Sequence, residues 1–255
     1  MEFFDLMSIS HRYMELLNPS TPEKILKLGK VLGMKEGSRV IDYGSGCAEP
    51  LALWGKEYGI TGVGVDISAN FCERAAKKLY AAGLSDRIEI VCCKGVDYPL
   101  QEGAFDVATC IGATFVFGGY RETVRALKKA VHPKGRLGIG EVYWLSDNVP
   151  PEYAQKETSA HPETELLRIT REEGFEIEYV IRASHDDWDR YSSDNWYGLL
   201  RWLEENPAHP DSQQVLEHLR RSQDDYFRYE RQYTGWATYV LKPARSDIPV
   251  REGVA

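Results

Sequence analysis

The sequence predicts an α/β protein with a doubly wound, mostly parallel sheet of seven strands and helices on both faces. The apolar segment Val40-Ile41 ends at Asp42 and continues into a Gly44-x-Gly46 turn. A second apolar segment also ends in an acid, Asp66. Along most of the chain, apolar strand patterns alternate with helical patterns, as in parallel sheets covered on both sides. Such sheets bind nucleoside-bearing ligands at the carboxyl ends of their strands, so we expect the functional site there.

Residues 1–37 are predicted to form helices that cover the front of the sheet. Pro22 suits the first turn of a helix, and Glu23 suits its positively polarised start. The apolar residues that follow have helical spacing: Ile25, Leu28 and Leu32.

Residues 38–182 form the predicted Rossmann-like core, in which strands and helices alternate. The strands are predicted at 39–42, 61–66, 88–92, 105–110, 136–141 and 175–182. The helices are predicted at 49–58, 69–82 and 120–131, with one more inside the polar segment 146–173. Pro133-Lys134-Gly135 is predicted to be a turn before the fifth strand, since proline and glycine favour turns.

Residues 183–233 are predicted to form a helical insertion before the last strand, and they are unusually aromatic. Four of the six tryptophans lie between residues 188 and 236. Many of these aromatic residues follow helical spacing, which packing alone would explain. The functional interpretation is a cap over an acceptor pocket, because aromatic faces attract cations. The final strand is predicted within 234–243, followed by a loose polar tail at 244–255.

Length, composition and charge indicate a globular protein that acts on a small molecule. The 255 residues suit one domain, with or without a cap. The net charge is −8 and no run of Lys and Arg exists, so a nucleic-acid partner would lack its usual electrostatic attraction. Five cysteines and an acidic start without a basic signal region lead us to expect reduced thiols and a cytoplasmic protein. No apolar run is long enough to span a bilayer, and the sequence leaves monomer and homodimer open.

The turn after the first strand limits the kind of nucleoside ligand. A dinucleotide fingerprint would have a third glycine where this chain has Glu49. A pyrophosphate at that helix start would face the carboxylate of Glu49, and Asp42 adds a second negative charge. S-adenosylmethionine carries an adenosine, an ammonium and a sulfonium but no phosphate, so it suits this turn better. Asp66 is then in the place where a carboxylate binds the ribose hydroxyls.

At these residues the chain resembles the class I S-adenosylmethionine-dependent methyltransferases. Motif I corresponds to residues 42–48, with Ala48 where the family usually has a third glycine, and Asp66 corresponds to the motif II acid. Phe105-Asp106-Val107 and Pro133-Lys134-Gly135 resemble the later motifs. A closer resemblance, over about residues 18 to 243, is to a group of bacterial methyltransferase-like proteins. It is carried by Asn18-Pro19, Glu23-Lys24 and the stretches 111–114, 140–144, 188–191 and 201–207.

The resemblance implies S-adenosylmethionine as cofactor, S-adenosylhomocysteine as product, and a set of cofactor-binding positions. These positions are Asp42 and the backbone of Gly44, Ser45 and Gly46 for the methionine end, Asp66 for the ribose, and Ile67 for the adenine. The acid that usually follows the third strand in the family is replaced by Lys94. We therefore expect the backbone of Gly95 and Val96 to bind the base, unless Asp97 substitutes for the missing acid. The residues expected near the reactive methyl group end the fourth strand: Cys110, Ile111 and Gly112.

The acceptor side is predicted from the fifth strand and the aromatic insertion. Glu141 ends that strand, where sheet ligands bind, and is placed to accept a proton or orient an amine. A structural hydrogen bond would explain Glu141 equally well. The candidates for a general base, needed only if the nucleophile arrives protonated, are Glu141, Tyr143 and Tyr191. The candidates for substrate binding are Trp144, Trp188, Trp196 and Arg201, whereas His11 is expected to be a solvated surface residue.

These features predict in-line methyl transfer from S-adenosylmethionine to a small nucleophile, in which the protein mainly aligns the reactants and excludes water. Three alternatives stay open. An arsenite- or thiol-type methyltransferase would use cysteines as soft ligands, although Cys92 and Cys93 point to opposite faces of their strand. No sequence feature excludes a non-catalytic sensor that binds S-adenosylmethionine. A nicotinamide oxidoreductase is disfavoured by Glu49, and no metal site is predicted.

Overall fold

A computed structural model of the protein describes residues 1–244, so the predicted loose tail lies outside the described residues from position 245 onward. Seven strands form one sheet. They are β1 (Arg39–Tyr43), β2 (Thr61–Asp66), β3 (Ile88–Cys92), β4 (Phe105–Ile111), β5 (Val131–Trp144), β6 (Phe175–Arg182) and β7 (Thr234–Pro243).

The strand order is β3-β2-β1-β4-β5-β7-β6. The first five strands in this order pair in parallel, and β7 lies antiparallel between β5 and β6. The predicted doubly wound, mostly parallel sheet is therefore confirmed. The direction of winding reverses between β1 and β4, which leaves a crevice beyond their carboxyl ends where ligands of such sheets bind.

Helices cover both faces of the sheet and its carboxyl edge. Within residues 1–244 they are α1 (Phe3–Ser10), α2 (Pro22–Val31), α3 (Glu49–Tyr58), α4 (Ala69–Ala81), α5 (Tyr120–Ala130), α6 (Pro151–Lys156), α7 (Glu163–Glu172), α8 (His185–Glu205), α9 (Ser212–Asp225) and α10 (Arg231–Tyr233). A π-helical turn joins α9 to α10, and short 3-10 turns lie at Gly95–Asp97 and Thr114–Val116. None of the helices in this part of the chain is both long enough and apolar enough to cross a bilayer.

The sheet is buried on both faces because successive side chains of β1 point in opposite directions. Ile41 packs in one apolar cluster with Leu127 of α5. Val40 packs in a second cluster with Leu28 of α2 and Trp54 of α3. The N-terminal helix α2 is therefore part of the core that holds β1 in place.

Strand β5 begins earlier than the sequence predicts. Its pairing with β4 passes from Phe105 opposite Val131 to Val107 opposite Arg136, so β5 carries extra residues at this point. The predicted turn at Pro133-Lys134-Gly135 is this irregularity within the strand. Proline cannot donate a ladder hydrogen bond, which is why it is tolerated at a bulge.

The segment between β5 and β6 contains two helices where one was predicted. The six residues of α6 are too few to show a periodic apolar pattern. Tertiary packing stabilises this helix, because Tyr153 is buried and stacks on Tyr229 with ring centroids 4.8 Å apart. The longer helix α7 has the expected apolar face, with Leu166 and Ile169 buried.

The segment before β7 is helical, as predicted, and its first helix carries α1. Helix α8 begins at a capping box in which Ser184 and Asp187 satisfy each other's backbone N–H groups. Leu199 of α8 packs with Val215 of α9 and Ile9 of α1. The backbones of α8 and α1 approach closely at Gly198, where a Cβ atom would lie 2.7 Å from the carbonyl oxygen of Ser10. This contact positions α1 over the carboxyl edge of the sheet.

Candidate active site

A cavity of about 320 Å³ lies beyond the carboxyl ends of β1, β2 and β4. Helix α1 and residues 15–18 form one side, and Tyr191 of α8 contributes to the wall. Most of the predicted cofactor-binding residues line this cavity: Asp42, Gly44, Ser45, Gly46, Asp66, Ile67, Gly95, Val96, Ile111 and Gly112. The topology therefore brings together residues that are widely separated in the sequence.

The turn after β1 has the conformation that its glycines predict. Gly44 and Gly46 have φ values of +66° and +53°, in the left-handed region that glycine favours. A Cβ atom on Gly44 would lie 2.3 Å from the Cβ of Ala113, and one on Gly46 would lie 2.7 Å from Leu17 Cδ1. The turn thus approaches the cavity as backbone without side chains at its two glycines. Its N–H groups are used within the protein, because those of Gly44 and Ser45 donate to the Val65 carbonyl and that of Gly46 donates to Asp66.

The carboxylate of Asp66 is held in a fixed orientation by two backbone donors. Gly46 N–H donates to Oδ2 and Ser68 N–H donates to Oδ1, each at 2.8 Å. Burial raises the pKa of Asp66, and these hydrogen bonds oppose that effect by stabilising the ionised form. Each carboxylate oxygen retains a lone pair for a ligand hydroxyl, which fits the predicted contact with a ribose diol.

Asp42 is buried at the end of β1 and favours a cationic ligand. Thr109 Oγ1 donates to its Oδ1 at 2.7 Å. Burial raises its pKa to about 7, the charge of Asp66 adds to the shift, and the Thr109 hydrogen bond opposes it. A positively charged group placed nearby would favour the ionised carboxylate, so an ammonium or sulfonium suits this end of the cavity.

Glu49 is less exposed to a ligand than the sequence suggests. Its carboxylate pairs with Lys78, which also pairs with Glu15, and Glu49 is not among the residues that line the cavity. The negative charge that opposes a pyrophosphate at this turn therefore comes mainly from Asp42.

Two buried oxygen atoms along the cavity have no hydrogen-bond partner within residues 1–244. They are Ser45 Oγ and Asn18 Oδ1. The amide nitrogen of Asn18 donates to the carbonyl of Ile111 at 3.3 Å, which fixes the side chain next to the end of β4. Buried polar atoms are nearly always satisfied, so both oxygens are suited to a ligand that brings donors. These unpaired oxygens, the bare turn and the two carboxylates fit S-adenosylmethionine.

The opposite end of the cavity has the apolar character expected for a base-binding surface. Ile67 and Val96 are 39% and 63% exposed at its edge. Gly95 lies behind them, where a Cβ atom would be 2.6 Å from Val116 Cγ1. Lys94 also lines the cavity. The lysine that replaces the family's usual acid after β3 therefore lies at the base-binding end, as the sequence predicts.

Several predicted residues do not line the cavity, because alternation along the strands turns them into the core. Cys110 is completely buried, and burial raises its pKa well above the ordinary value. Glu141 accepts hydrogen bonds from Thr114 Oγ1 at 2.6 Å and from its neighbour's backbone N–H at 2.9 Å. Burial raises the pKa of Glu141 to about 7. Tyr143 is buried too, with the guanidinium of Arg182 4.9 Å from its ring centre.

The predicted substrate-binding side chains lie away from the cavity wall. Trp144 packs on Tyr153, and Trp196 donates from Nε1 to Ser222 Oγ at 3.1 Å across the α8–α9 contact. Arg201 forms an ion pair with Glu204 at 2.6 Å on the outer face of α8. Trp188 packs against the core cluster near Trp236. Their helical spacing turns most of these residues toward neighbouring helices, so only Tyr191 among the predicted acceptor-side residues reaches the cavity.

The expectation that His11 is a solvated surface residue is wrong. His11 is 2% exposed, lines the cavity and lies with its Nε2 3.1 Å from the hydroxyl of Tyr191. Its partner lies far along the chain, so no local pattern could reveal the contact. Asn18 also lines the cavity, and the sequence did not predict it as a binding residue. It lies in a stretch that carries the family resemblance.

The cysteine that lines the cavity is poorly suited to act as a thiolate. Of the five, all within the described residues, Cys47 lines the cavity, and burial raises its pKa to about 11. A protonated thiol is a weak ligand for soft metalloids, so the structure adds no support to the arsenite-type alternative.

The fold and site define a class of protein: enzymes that hold S-adenosylmethionine at the carboxyl edge of a doubly wound sheet. A family profile described as "Methyltransferase domain" matches residues 40–135. This range runs from β1 into β5 and includes both acids and the glycine turn.

Two similar proteins align along nearly the whole chain, and a third aligns along about half of it. YjhP from Escherichia coli is 32% identical over 92% of this chain and 97% of its own length. A methyltransferase from Geobacter sulfurreducens, solved with S-adenosylhomocysteine, superimposes with a TM-score of 0.87 at 32% identity, covering 94% of this chain and 98% of that one. 27-O-demethylrifamycin SV methyltransferase from Amycolatopsis mediterranei is 25% identical over 49% of this chain and 46% of its own. The chain belongs to the S-adenosylmethionine-dependent methyltransferase family, and S-adenosylmethionine is its cofactor.

Proposed function

We propose that this methyltransferase acts on a small-molecule acceptor that binds in the same cavity as the cofactor. The observation that carries the proposal is the continuity of the cavity from Asp66 at the end of β2 to Tyr191 under α1. Helix α1 covers the sheet edge at this point, so an enclosed small molecule suits the cavity better than a macromolecule. One relative, 27-O-demethylrifamycin SV methyltransferase, is named for an acceptor of this kind.

In this proposal the cofactor lies along the carboxyl edge of β1, β2 and β4. Asp66 binds the ribose hydroxyls, Asp42 and the backbone of Gly44 and Gly46 hold the ammonium end, and the base packs between Ile67 and Val96. The cofactor supplies an activated methyl group on a positively charged sulfur. The side chains of α1 exclude water from the reacting groups, and the fixed carboxylates align them.

A labelling experiment separates small from large acceptors. The protein is incubated with S-adenosylmethionine carrying a labelled methyl group and with a bacterial cell extract divided by ultrafiltration. We expect label to enter the low-molecular-mass fraction. Label found in the macromolecular fraction alone would contradict the proposal. If S-adenosylhomocysteine binds tightly but no fraction accepts label, the non-catalytic sensor is favoured instead.

A further inference from the structure

The contact between His11 and Tyr191 has a defined hydrogen-bond direction. His11 Nδ1 lies 3.0 Å from the carbonyl oxygen of Met7 and 2.8 Å from Ser10 Oγ. Ser10 Oγ itself donates to the Met7 carbonyl at 3.1 Å. Because the Met7 carbonyl can accept but not donate, its contact with Nδ1 assigns the imidazole proton to Nδ1.

This tautomer leaves Nε2 of His11 as a bare acceptor. Burial lowers the pKa of His11 to about 4, so the imidazole is neutral at pH 7. Burial also raises the pKa of Tyr191 to about 12, so its hydroxyl is protonated. Tyr191 therefore donates to Nε2 at 3.1 Å, and its oxygen keeps lone pairs for a molecule in the cavity. The acceptor side of the cavity thus presents the Tyr191 oxygen as a hydrogen-bond acceptor, and the Tyr191 proton is held by the basic Nε2 atom of His11.

The surroundings of this pair are mainly apolar. Phe3, Phe4 and Met7 of α1 and Phe115 after β4 line the same cavity. Arg74, whose charge acts on His11, donates hydrogen bonds to the carbonyls of His11 and Met14. Glu15 also lines the cavity, but its carboxylate pairs with Lys78. Among the lining residues of the described chain, the one Lys or Arg is Lys94 at the base-binding end. A protonated amine beside Tyr191 would therefore meet a neutral phenol, and a carboxylate would meet no lysine or arginine there. A neutral molecule with an apolar body and a hydroxyl group fits best.

We propose that Tyr191, oriented by His11, accepts the proton of a hydroxyl group on a neutral, largely apolar acceptor, so that the product is a methyl ether. The proposal rests on the proposed function and specifies its acceptor. Tyr191 is the catalytic residue in this proposal, and His11 is the positioning residue that acts through it.

The proposed methyl transfer balances in atoms, protons and charge. The acceptor oxygen forms its bond to the methyl carbon while the carbon–sulfur bond breaks and leaves its electron pair on sulfur. The hydroxyl proton passes to the oxygen of Tyr191, and the proton of Tyr191 passes to Nε2 of His11. The positive charge moves from the sulfonium to the imidazole, so the cavity keeps the same total charge. The imidazolium then loses its proton to water when the products leave.

The low basicity of His11 is compatible with this role. An alcohol or phenol oxygen becomes strongly acidic as it forms a bond to the methyl group. A base therefore needs little intrinsic strength to accept that proton, provided that it is in hydrogen-bond contact at the time.

The proposal is tested by binding of matched probes to the complex with S-adenosylhomocysteine. The probes are 2-naphthol and 2-methylnaphthalene, which have nearly the same size and differ in the hydroxyl group. We expect the wild type to bind 2-naphthol about tenfold more tightly, as one retained hydrogen bond in an apolar site would give. We expect Tyr191→Phe to remove this preference, while the control Tyr197→Phe, on the exposed face of α8, keeps it.

Two variants of His11 separate positioning from packing. His11→Gln retains an acceptor for the Tyr191 hydroxyl and should keep part of the preference for 2-naphthol, whereas His11→Phe should lose it. A wild type that binds S-adenosylhomocysteine but shows no preference for 2-naphthol overturns the inference, and so does a preference that survives in Tyr191→Phe. Failure of the wild type to bind S-adenosylhomocysteine would instead count against the proposed cofactor site.

Discussion

At the scale of single residues, two aspartates at neighbouring strand ends supply the carboxylates of the candidate cofactor site. Asp66 is oriented by the N–H groups of Gly46 and Ser68, and Asp42 is buried beside Thr109. Both positions follow from the sequence, because an acid that ends an apolar strand beside a glycine turn is typical of a nucleoside-binding sheet edge. Their hydrogen bonds and their burial could be determined only from the structure.

The first prediction concerns Asp66. Replacing it with alanine removes two ligand contacts to a charged group, so the affinity for S-adenosylhomocysteine should fall by about 100-fold or more. Isothermal titration calorimetry measures this, with Asp86→Ala, an exposed aspartate in the loop before β3, as the control. If Asp66→Ala bound the ligand as tightly as the wild type, the assigned ribose site would be wrong.

A second prediction follows from the pKa of Asp42, which burial raises to about 7. Below that pH the carboxyl is mostly protonated and loses its attraction for the ligand's ammonium group. The affinity for S-adenosylhomocysteine should therefore rise with pH, by up to about tenfold per unit below pH 7, and level off above it. Asp42→Asn should flatten this profile, and a flat profile in the wild type would contradict the assignment.

The burial of His11 could not be predicted from the sequence. A single histidine without a local motif is more often solvated, and its burial here depends on α1 packing against α8. Its partner Tyr191 was already a candidate base, but the sequence gives no means of pairing residues so far apart.

At the scale of elements, regular patterns were predicted well and short or irregular ones were not. Helix α3 and strands β2, β3 and β6 have the predicted bounds. Helix α6 and the early start of β5 were missed, because tertiary contacts and a bulge decide them. The aromatic residues of α8 and of the π-helical turn after α9 were correctly placed on helical segments, yet of these rings Tyr191 alone lines the cavity.

The third prediction concerns the contact between α1 and α8. A side chain at Gly198 would collide with the backbone of α1, since a Cβ atom would lie 2.7 Å from Ser10 O and 2.8 Å from Ile9 O. Gly198→Val should lower the free energy of unfolding by about 1–3 kcal/mol and accelerate hydrogen exchange in α1.

Ser193→Val, at an exposed position on the same helix, serves as the control for the valine itself. Unchanged exchange in α1 of Gly198→Val would show that α1 does not depend on this contact. That result would weaken the view that α8 holds α1 over the cavity.

At the scale of the whole molecule, the strand order places β1, β2 and β4 side by side, and this adjacency assembles one site from distant segments. A sheet with this strand order could also bind a dinucleotide. The negative charge at the turn after β1 therefore decides which ligand binds. We expect S-adenosylhomocysteine to raise the thermal unfolding temperature and NADH to leave it unchanged, since binding to the folded state alone stabilises it. Stabilisation by NADH would show that Asp42 does not exclude a pyrophosphate.

A crystal structure of the protein with S-adenosylhomocysteine would be the most direct test of a cavity shared by cofactor and acceptor. We predict hydrogen bonds between the carboxylate of Asp66 and the ribose hydroxyls, with the ligand's sulfur on the side of the cavity that faces Tyr191. A ribose bound away from Asp66, or a sulfur that points away from Tyr191, would contradict the claim that one cavity holds both molecules.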